Sequence, residues 1–479
     1  MKFEYKKVPL RTKFYAGMGS FGLNITAGLF SAWTLTFYIR IVGINPLLWS
    51  VCMLIYLIWN AVNDPIFGFL SDRTYTKYGR RVPYLILCGP LLSISFVLLY
   101  SSPINNQQWV YFIWLLITML FYDTFFTLVS INFNSLIIEL TIHPHERAKI
   151  NFFTGIGGGI GVALSYVFPI LFLQYDLVPF SLNRVIFQPI IIIFSIFSAV
   201  FIAITAFGIK EPLELVPDKS DKLNIWYSAK KTLKNRAFLT FVMFNFVMTY
   251  IVFAIQSNLP FYMGDVLNVS SDNLLASMPL LLFILFSVIG YPVGLFLNKR
   301  KGNKRATFYL SLLVVGGFMM ITFSNNVFLA NISFIILGFG YSGQTLLVPT
   351  LLGDIIDKDE LETGQRREGA FFGINALITK PAQSVSAAMS GLIFFFTNYN
   401  QNLPIGESQP ETAILGIKLL IGLIPAVFIM IGLIFLWYYP LDGTTVEYKE
   451  LKQKVGILHE KKLQILKDKL TNLEKLTDK

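Results

Sequence analysis

The sequence predicts an all-α membrane protein with twelve transmembrane helices, arranged as two six-helix halves, with both termini in the cytoplasm. Composition is the first observation: 54% of the 479 residues are hydrophobic and only 14% are charged, whereas soluble domains carry about 25% charged residues. The second is a series of long apolar segments. The third is the confinement of lysine and arginine to alternate loops, which also explains the net charge of +11 without a nucleic-acid partner.

Twelve apolar segments are long enough to cross a bilayer, which takes about 20 mostly apolar residues as a helix. Such runs are too long for the strands of a membrane barrel, so they predict helices. The predicted spans are residues 14–39, 46–71, 82–101, 108–134, 151–173, 185–209, 237–263, 273–297, 306–324, 327–351, 370–396 and 412–439.

The loops between these spans predict the orientation. Counting the N-terminus, one set of alternate loops carries 26 lysines and arginines, and the other set carries only Arg40 and Arg184. Basic loops stay in the cytoplasm, so both termini are expected there.

Charge and composition also divide the chain. Residues 1–209 form the predicted N-terminal half, and a charged segment with two prolines at 210–236 forms a cytoplasmic central loop. Residues 237–439 form the predicted C-terminal half. The polar tail at 440–479 has leucines at near-helical intervals, which predicts a cytosolic amphipathic helix without a catalytic role.

Two loops repeat a glycine and charge pattern. Gly68-x-x-x-Asp72-Arg73 followed by Gly79-Arg80-Arg81 recurs after the eighth span as Gly294-x-x-x-Asn298-Lys299 and Gly302-x-Lys304-Arg305. The matching spacing predicts parallel repeats related by an axis normal to the membrane, with a solute site near the midplane between the halves. Glycines within residues 155–161 lie inside a predicted span, so we interpret them as helix-packing positions and not as a nucleotide loop.

Two long motifs resemble the glycoside–pentoside–hexuronide:cation symporter family of the major facilitator superfamily. They are "NDPIFGFLSDRTYTKYGRR" in the second span and its loop, and "GDIIDKDELETGQRREGAFFGINALITKP" at residues 353–381. "YDTFFTLV" at residues 122–129 is similar to the family's fourth helix. The resemblance implies a major facilitator fold that operates by rocking of two halves.

Three ionisable residues lie well inside predicted spans: Asp64, Asp123 and Lys380. Charges inside a bilayer cost about 2.5–3.5 kcal/mol on insertion scales and are functional candidates by default. A lysine between carboxylates compensates their charge, and protonating or ligating one acid shifts that balance. The alternative is a static charge network that only holds three helices together.

The resemblance assigns roles to these charges. It implies that Asp64 and Lys380 lie at a cation-coupling site and that Asp123 binds sugar. Asn60, one turn before Asp64, stands where the family's melibiose permease has a second aspartate. One carboxylate suits a proton better than a sodium cage, so the sequence favours H⁺ over Na⁺ as the coupling ion.

Other positions depart from the family's sugar site. Asn24, Thr127 and Asn151 stand where the family has an aspartate, a tryptophan and an arginine that contact sugar, so no particular sugar is implied. The predicted substrate-binding residues are Asp123, Asn24, Thr127, Asn151, Gln256, Tyr341 and Gln344.

A cytoplasmic gate is predicted from the charged loops at the inner ends of the spans. Its predicted residues are Asp72, Arg73, Arg80, Arg81, Glu139, Arg147, Asp354 and Arg367.

The function predicted from these observations is cation-coupled symport of a sugar, glycoside or related organic solute by alternating access. A lysolipid or lipid transporter and a non-transporting membrane sensor remain alternatives. No catalytic motif, metal site or cofactor is expected apart from the coupling cation. The expected partners are the solute and the lipid bilayer of the cell membrane, without nucleic acid, and the protein is expected to be a monomer.

Overall fold

The computed structural model describes residues 8–72, 74, 76, 79–103, 107–141, 144–172, 180–211, 225–269, 274–364, 367–401, 403 and 408–458. Within these residues the chain is helical, and its β-structure is limited to one isolated bridge between Thr76 and Gly79. Ten of the described helices are long and apolar enough to cross a membrane.

The first six helices make up the N-terminal half. They are α1 (Leu10–Thr36, continued as a π-helix over Phe37–Val42), α2 (Pro46–Asp72), α3 (Val82–Leu99), α4 (Gln108–Glu139), α5 (Pro144–Phe172) and α6 (Phe180–Gly208). Helix α1 packs on α5 and α6, and α4 packs on α2 and α3.

The remaining helices make up the C-terminal half and its flanks. They are α7 (Ile225–Lys234), α8 (Arg236–Phe261, continued as a π-helix over Tyr262–Val266), α9 (Met278–Ile289), α10 (Tyr291–Phe323), α11 (Val327–Thr363), α12 (Glu368–Thr379), α13 (Pro381–Phe396), α14 (Glu411–Lys418, continued as a π-helix over Leu419–Leu423), α15 (Ile424–Trp437) and α16 (residues 446–458). Helix α7 lies within the predicted central loop, and α16 lies within the predicted tail.

Each of the twelve predicted segments overlaps described helix. Three interior features of the helices also differ from the predicted pattern. The eighth segment is broken between Ile289 and Tyr291. The loop predicted between the eighth and ninth segments is helical except at Gly302, whose φ of 77° is outside the helical region. The eleventh segment is broken at Lys380, because Pro381 has no N–H to continue the helical ladder and its ring crowds the preceding turn.

Close helix packing in the N-terminal half depends on small residues. A Cβ on Gly157 of α5 would lie 2.0 Å from the carbonyl oxygen of Gly17 in α1. Only glycine permits this approach of two backbones, as small residues do in membrane helix pairs generally. Gly157, Gly158 and Gly161 are therefore packing positions against α1, as the sequence predicts, whereas Gly155 and Gly159 have open space at their Cβ positions.

Candidate functional site

Asp64 and Lys380 form an ion pair that joins the two halves. The Lys380 Nζ lies 2.5 Å from the Asp64 Oδ1. Asp64 is on α2 and Lys380 is at the junction of α12 and α13. Each residue directly precedes a proline, Pro65 or Pro381, so both helical ladders are interrupted where the ion pair forms.

The pair is only partly buried: 17% of the Asp64 side chain and 33% of the Lys380 side chain are exposed. Its free-energy contribution therefore lies between that of exposed pairs, at most about 1 kcal/mol, and that of fully buried pairs, whose disruption costs about 3–5 kcal/mol. The role of the pair in cation coupling stays a prediction.

Asp123 is held by two side chains of α2. Its Oδ1 accepts a hydrogen bond of 2.8 Å from the Tyr56 hydroxyl, and its Oδ2 accepts one from the Asn63 amide. The same amide donates to the Thr127 hydroxyl at 3.1 Å. Asp123 is 4% exposed and lies within electrostatic range of Lys380 and Asp64, so the three predicted charges occupy one region of the fold.

Tyr56 and Asn63 are site residues that the sequence analysis missed. They are seven positions apart, which is two helical turns, so both face α4 from one side of α2. The sequence feature that could have identified them is the presence of polar residues at helical spacing around Asn60 and Asp64. Asn60 itself is 4% exposed, one turn before Asp64, and its role in cation coupling stays a prediction.

A small cavity separates the halves on the Pro46 side of this charge cluster. Its volume is about 30 Å³, enough for one or two water molecules. The walls combine aromatic rings with small polar groups from α1, α2, α8 and α13. The lining residues are Phe30, Ser31, Thr34, Leu35, Trp49, Met53, Tyr56, Phe253, Ser257, Gln383, Ser384 and Ala387.

Two of the other predicted solute-binding residues take part in helix packing in this conformation. Asn24 donates back to the Ser20 carbonyl at 2.8 Å and lies against Gly158 of α5. Tyr341 packs against Phe283 with a centroid separation of 5.2 Å.

The remaining three differ in their surroundings. Gln344 donates to Asn245 at 2.7 Å, and Asn245 donates to Asn375 at 2.9 Å, so one chain of amides joins α11, α8 and α12. Gln256 is half-buried on α8 and Asn151 is exposed on α5. Solute binding by all five residues stays a prediction.

At the end of the N-terminal half that is predicted to face the cytoplasm, called the inner end below, Arg80 and Arg81 contact two acids. Their guanidinium groups lie 3.3 and 3.4 Å from Glu139. Their backbone N–H groups donate to the carboxylate of Glu211 at 2.9 and 2.8 Å, so Glu211 caps the start of α3. The Asp72 side chain and Arg73, both predicted gate residues, lie outside the described residues.

Arg147 donates to the backbone carbonyls of Thr141 and Ile138 at the end of α4, at 2.9 and 3.4 Å. It therefore satisfies carbonyl groups that the helix leaves unpaired.

The inner end of the C-terminal half has a different arrangement. Arg367 forms a two-pronged ion pair with Asp359, and Asp354 contacts Lys452 of α16 at 2.6 Å. Lys452 also contacts Asp357, at 2.8 Å. These described pairs join elements of one half, and their role as a gate between halves stays a prediction.

A second contact between halves lies at the opposite end of the helices. Arg40, in the π-helix after α1, forms an ion pair with Asp265, in the π-helix after α8. The Arg40 Nε donates to the Tyr399 hydroxyl at 2.9 Å, and its guanidinium lies 4.7 Å from the Phe261 ring centroid. Arg40, Asp265 and Tyr399 are called the outer cluster below, after the side of the membrane predicted for them, and their pairing was not predicted from the sequence.

Helices α2 and α13 pack tightly between the outer cluster and the cavity. Trp49 donates to the Ala387 carbonyl at 2.9 Å, and Ser50 donates to the Ala388 carbonyl at 3.0 Å. The halves are therefore held together at the end where α2 begins, while Lys380 remains one-third exposed nearer the other end. Among the described residues, no group of three or more His, Cys, Asp or Glu side chains could hold a metal ion.

Comparison with known proteins agrees with this architecture. The family model described as MFS/sugar transport protein matches residues 15–443. The isoprimeverose transporter of Lactiplantibacillus pentosus is 24% identical, over 91% of this chain and 89% of the relative. The sodium-dependent lysophosphatidylcholine symporter 1 of Xenopus tropicalis is 21% identical, over 95% of this chain and 91% of the relative.

Among solved structures, a D-xylose-proton symporter superimposes with a TM-score of 0.63 at 13% identity, covering 90% of this chain and 98% of that chain. At that identity the likeness shows the fold. These relatives are transporters and not enzymes, and the resemblance to the glycoside–pentoside–hexuronide:cation symporters is confirmed. The chain belongs to the MFS/sugar transport protein family, as a multi-pass membrane transporter with the major facilitator fold.

Proposed function

We propose that this protein is a cation-coupled symporter of a sugar, glycoside or related neutral organic solute, working by alternating access, with H⁺ as the coupling ion. The observation that carries the proposal is the Asp64–Lys380 ion pair between the halves. An attraction between opposite charges in a medium of low dielectric constant opposes separation of the helices that carry them. Protonation of Asp64 removes that attraction and lets the halves move.

The choice of proton follows from the oxygen ligands near Asp64. Asn60 supplies an amide one turn away, where a second carboxylate would favour sodium. Asn63 donates its amide hydrogens to Asp123 and Thr127. Among the described side chains of α2, Asp64 is thus the one acid, it pairs with Lys380, and one acid with one lysine forms a proton-exchange pair.

The choice of a compact neutral solute follows from the cavity. The hydroxyls of Ser31, Thr34, Ser257 and Ser384 and the aromatic rings beside them are suited to hydroxyl groups and sugar faces. A lysolipid remains the alternative, because a lysophosphatidylcholine symporter matches the chain over a similar length.

The test is uptake into proteoliposomes under an imposed pH gradient or an imposed Na⁺ gradient, with isoprimeverose and lysophosphatidylcholine as probes. We expect isoprimeverose uptake to follow the pH gradient, up to about tenfold accumulation per pH unit for one proton per solute. Asp64→Asn should abolish accumulation and leave equilibration intact. Asp442→Asn, at an inner ion pair with Arg305, is the matched control.

Different outcomes separate the alternatives. Lysophosphatidylcholine uptake without isoprimeverose uptake would replace the solute class, and dependence on the Na⁺ gradient would replace the ion. Unchanged accumulation by Asp64→Asn would show that Asp64 is structural. Absence of flux for a broad panel of sugars and lipids would favour a sensor.

A further inference from the structure

Each oxygen of the Asp123 carboxylate already accepts a hydrogen bond from the protein itself. Tyr56 donates to one oxygen at 2.8 Å and Asn63 donates to the other. Both donors are on α2, two turns apart, and Asp123 is 4% exposed. In this conformation a solute can reach the Asp123 carboxylate only by displacing one of these two donors.

The two donors differ in how firmly they are held. Asn63 is fully buried, its amide also binds Thr127, and its own side-chain oxygen is enclosed without a hydrogen-bond partner. Tyr56 has a single described hydrogen bond, to Asp123, and its ring forms part of the cavity wall. The Tyr56 hydroxyl is therefore the donor that a molecule in the cavity can replace.

The cavity is placed to make this exchange possible. Tyr56 binds Asp123 through its hydroxyl and lines the same cavity as Ser31 and Ser257, which come from opposite halves. The ring of Phe30 lies 6.2 Å from the Tyr56 ring and 4.8 Å from the Tyr122 ring. Rotation of the Tyr56 side chain away from Asp123 would join the cavity to the carboxylate.

We propose that the Tyr56 hydroxyl is an internal competitor, occupying on Asp123 the place that a solute hydroxyl takes when solute binds. This inference deepens the proposed function and rests on it. A buried carboxylate oxygen needs a donor, and one neutral hydroxyl can replace another without leaving it unpaired. Solutes that offer no hydroxyl donor leave Tyr56 in place, so Tyr56 acts as a specificity-determining residue.

The first test measures access to Asp123 without any solute. Purified protein in detergent is treated with a hydrophobic carbodiimide, and labelling of Asp123 and Asp64 is quantified by peptide mass spectrometry. Tyr56→Phe removes the hydroxyl and keeps the ring, so Asp123 labelling should rise several-fold while Asp64 labelling stays within twofold. Tyr250→Phe is the matched control, because Tyr250 is a fully buried tyrosine of α8 whose hydroxyl contacts the Met389 sulfur.

Equal Asp123 labelling in wild-type protein and Tyr56→Phe would overturn the proposal. An equal rise in Tyr250→Phe would also overturn it, because the effect would then be general loosening. Neither readout requires transport, so failure here is distinguishable from failure of the proposed function. Thermal unfolding of each variant establishes that it is folded.

The second test uses isoprimeverose as the probe and reads the direction of the affinity change. Removal of an internal competitor should tighten binding to Tyr56→Phe by about tenfold, equivalent to about 1.4 kcal/mol. Isoprimeverose should also return Asp123 labelling in Tyr56→Phe to the wild-type level. Weaker binding by Tyr56→Phe would mean that the Tyr56 hydroxyl contacts solute directly. Unchanged affinity would mean that the hydroxyl neither competes with solute nor contacts it. Either result overturns the proposal.

Discussion

The charge of Lys380, at the junction of α12 and α13, is paired with Asp64 of the opposite half. Replacing either residue alone with its neutral analogue leaves the other charge without its partner, which costs about 3–5 kcal/mol for fully buried pairs and less here, because the pair is partly exposed. We expect the double variant Asp64→Asn, Lys380→Gln to lose less stability than the two single variants together. The measurement is a double-mutant cycle on thermal unfolding in detergent.

The control for this cycle is Lys418→Gln, which removes an exposed lysine of α14 that binds Asn325 at 2.5 Å. Combined with Asp64→Asn it should show additive effects, since the two sites are remote. Additivity in the Asp64, Lys380 pair as well would mean that their proximity contributes no coupling free energy.

Glu146 gives a pH-dependent prediction at the predicted cytoplasmic end of α5. Hydrogen bonds from Lys13, at 2.6 Å, and Lys149, at 2.9 Å, lower the pKa of Glu146 from 4.5 to about 2. A lowered folded-state pKa stabilises the fold above the unfolded value, and that contribution is lost as pH falls toward the folded value. The difference in melting temperature between wild type and Glu146→Gln should therefore be largest near neutral pH. It should shrink toward zero as the pH falls from 4.5 to 2.

An exposed acid supplies the comparison for Glu146. Glu411→Gln, at the start of α14, should leave melting unchanged across the same pH range. A gap for Glu146→Gln that persists at pH 2 would mean that side-chain packing, and not charge, is what the substitution removes.

At this scale the sequence could predict charges and not their partners. Asp64, Asp123 and Lys380 stand out because a charge inside an apolar span is costly wherever it points. Tyr56 and Asn63 do not stand out, since uncharged polar residues in spans commonly pair with their own helix, as Asn24 does. Which residue meets Asp123 depends on the rotation of α2 against α4, and no local pattern encodes that rotation.

At the scale of elements, the two halves repeat one arrangement at their inner ends. Gly79 and Gly302 both have positive φ, 105° and 77°, and each contacts the segment after the last helix of its half. In the N-terminal half that segment supplies Glu211 to Arg80, and in the C-terminal half it supplies Asp442 to Arg305. The repeat predicted from loop sequences therefore extends to an acid that follows each set of helices.

Gly302 gives a stability prediction for this repeat. Its φ of 77° is unfavourable for residues with a Cβ, and an added Cβ would lie 3.1 Å from the Gly443 Cα. With ψ at 163° this conformation is almost exclusive to glycine, so Gly302→Ala should lose roughly 1–3 kcal/mol. Gly316→Ala, on the same helix with open space at its Cβ position, should gain up to about 1 kcal/mol. Thermal unfolding of both variants measures the two changes in stability. Equal changes would mean that the backbone conformation of Gly302 does not require glycine.

Element boundaries could be predicted only where hydrophobicity marks them. The predicted fourth and tenth spans stop at residues 134 and 351, but α4 and α11 continue to Glu139 and Thr363. Hydrophobicity reports the portion of a helix within the hydrocarbon, and a helix that extends into water carries no such signal. The helix break at Pro381 could be predicted from the proline itself. Its role in placing Lys380 beside Asp64 of the other half could not.

At the scale of the molecule, the contacts between halves are strongest at the end with the outer cluster. There the Arg40–Asp265 ion pair, the Tyr399 hydroxyl and the α2–α13 packing close the cavity. The π-helices that carry Arg40 and Asp265 end the first helix of each half, so the two repeats each contribute one charge. The proposed alternating access requires this cluster to open when the opposite end closes.

Removing one partner of the outer cluster should shift the protein toward the conformation open at that end. The reporter is Ser257→Cys, in the cavity wall on α8 and 6% exposed, in a background with Cys52 and Cys88 replaced by alanine. With Arg40→Gln, a membrane-impermeant thiosulfonate added from outside should modify Cys at position 257 faster. Each 1.4 kcal/mol lost from the free energy that favours the closed conformation raises a minor open population about tenfold. The rate of modification should rise by the same factor.

The matched control is Arg305→Gln, which breaks the ion pair with Asp442 inside the C-terminal half and should leave the rate of modification unchanged. Because the outer cluster spans both halves and the Arg305 pair spans only one, the contrast isolates contacts that change during rocking. Equal rates in the two variants would mean that the outer cluster stabilises the fold without controlling access. A faster rate in Arg40→Gln alone would mean that Arg40, Asp265 and Tyr399 hold this end of the cavity closed and separate when the proposed rocking of the halves opens it.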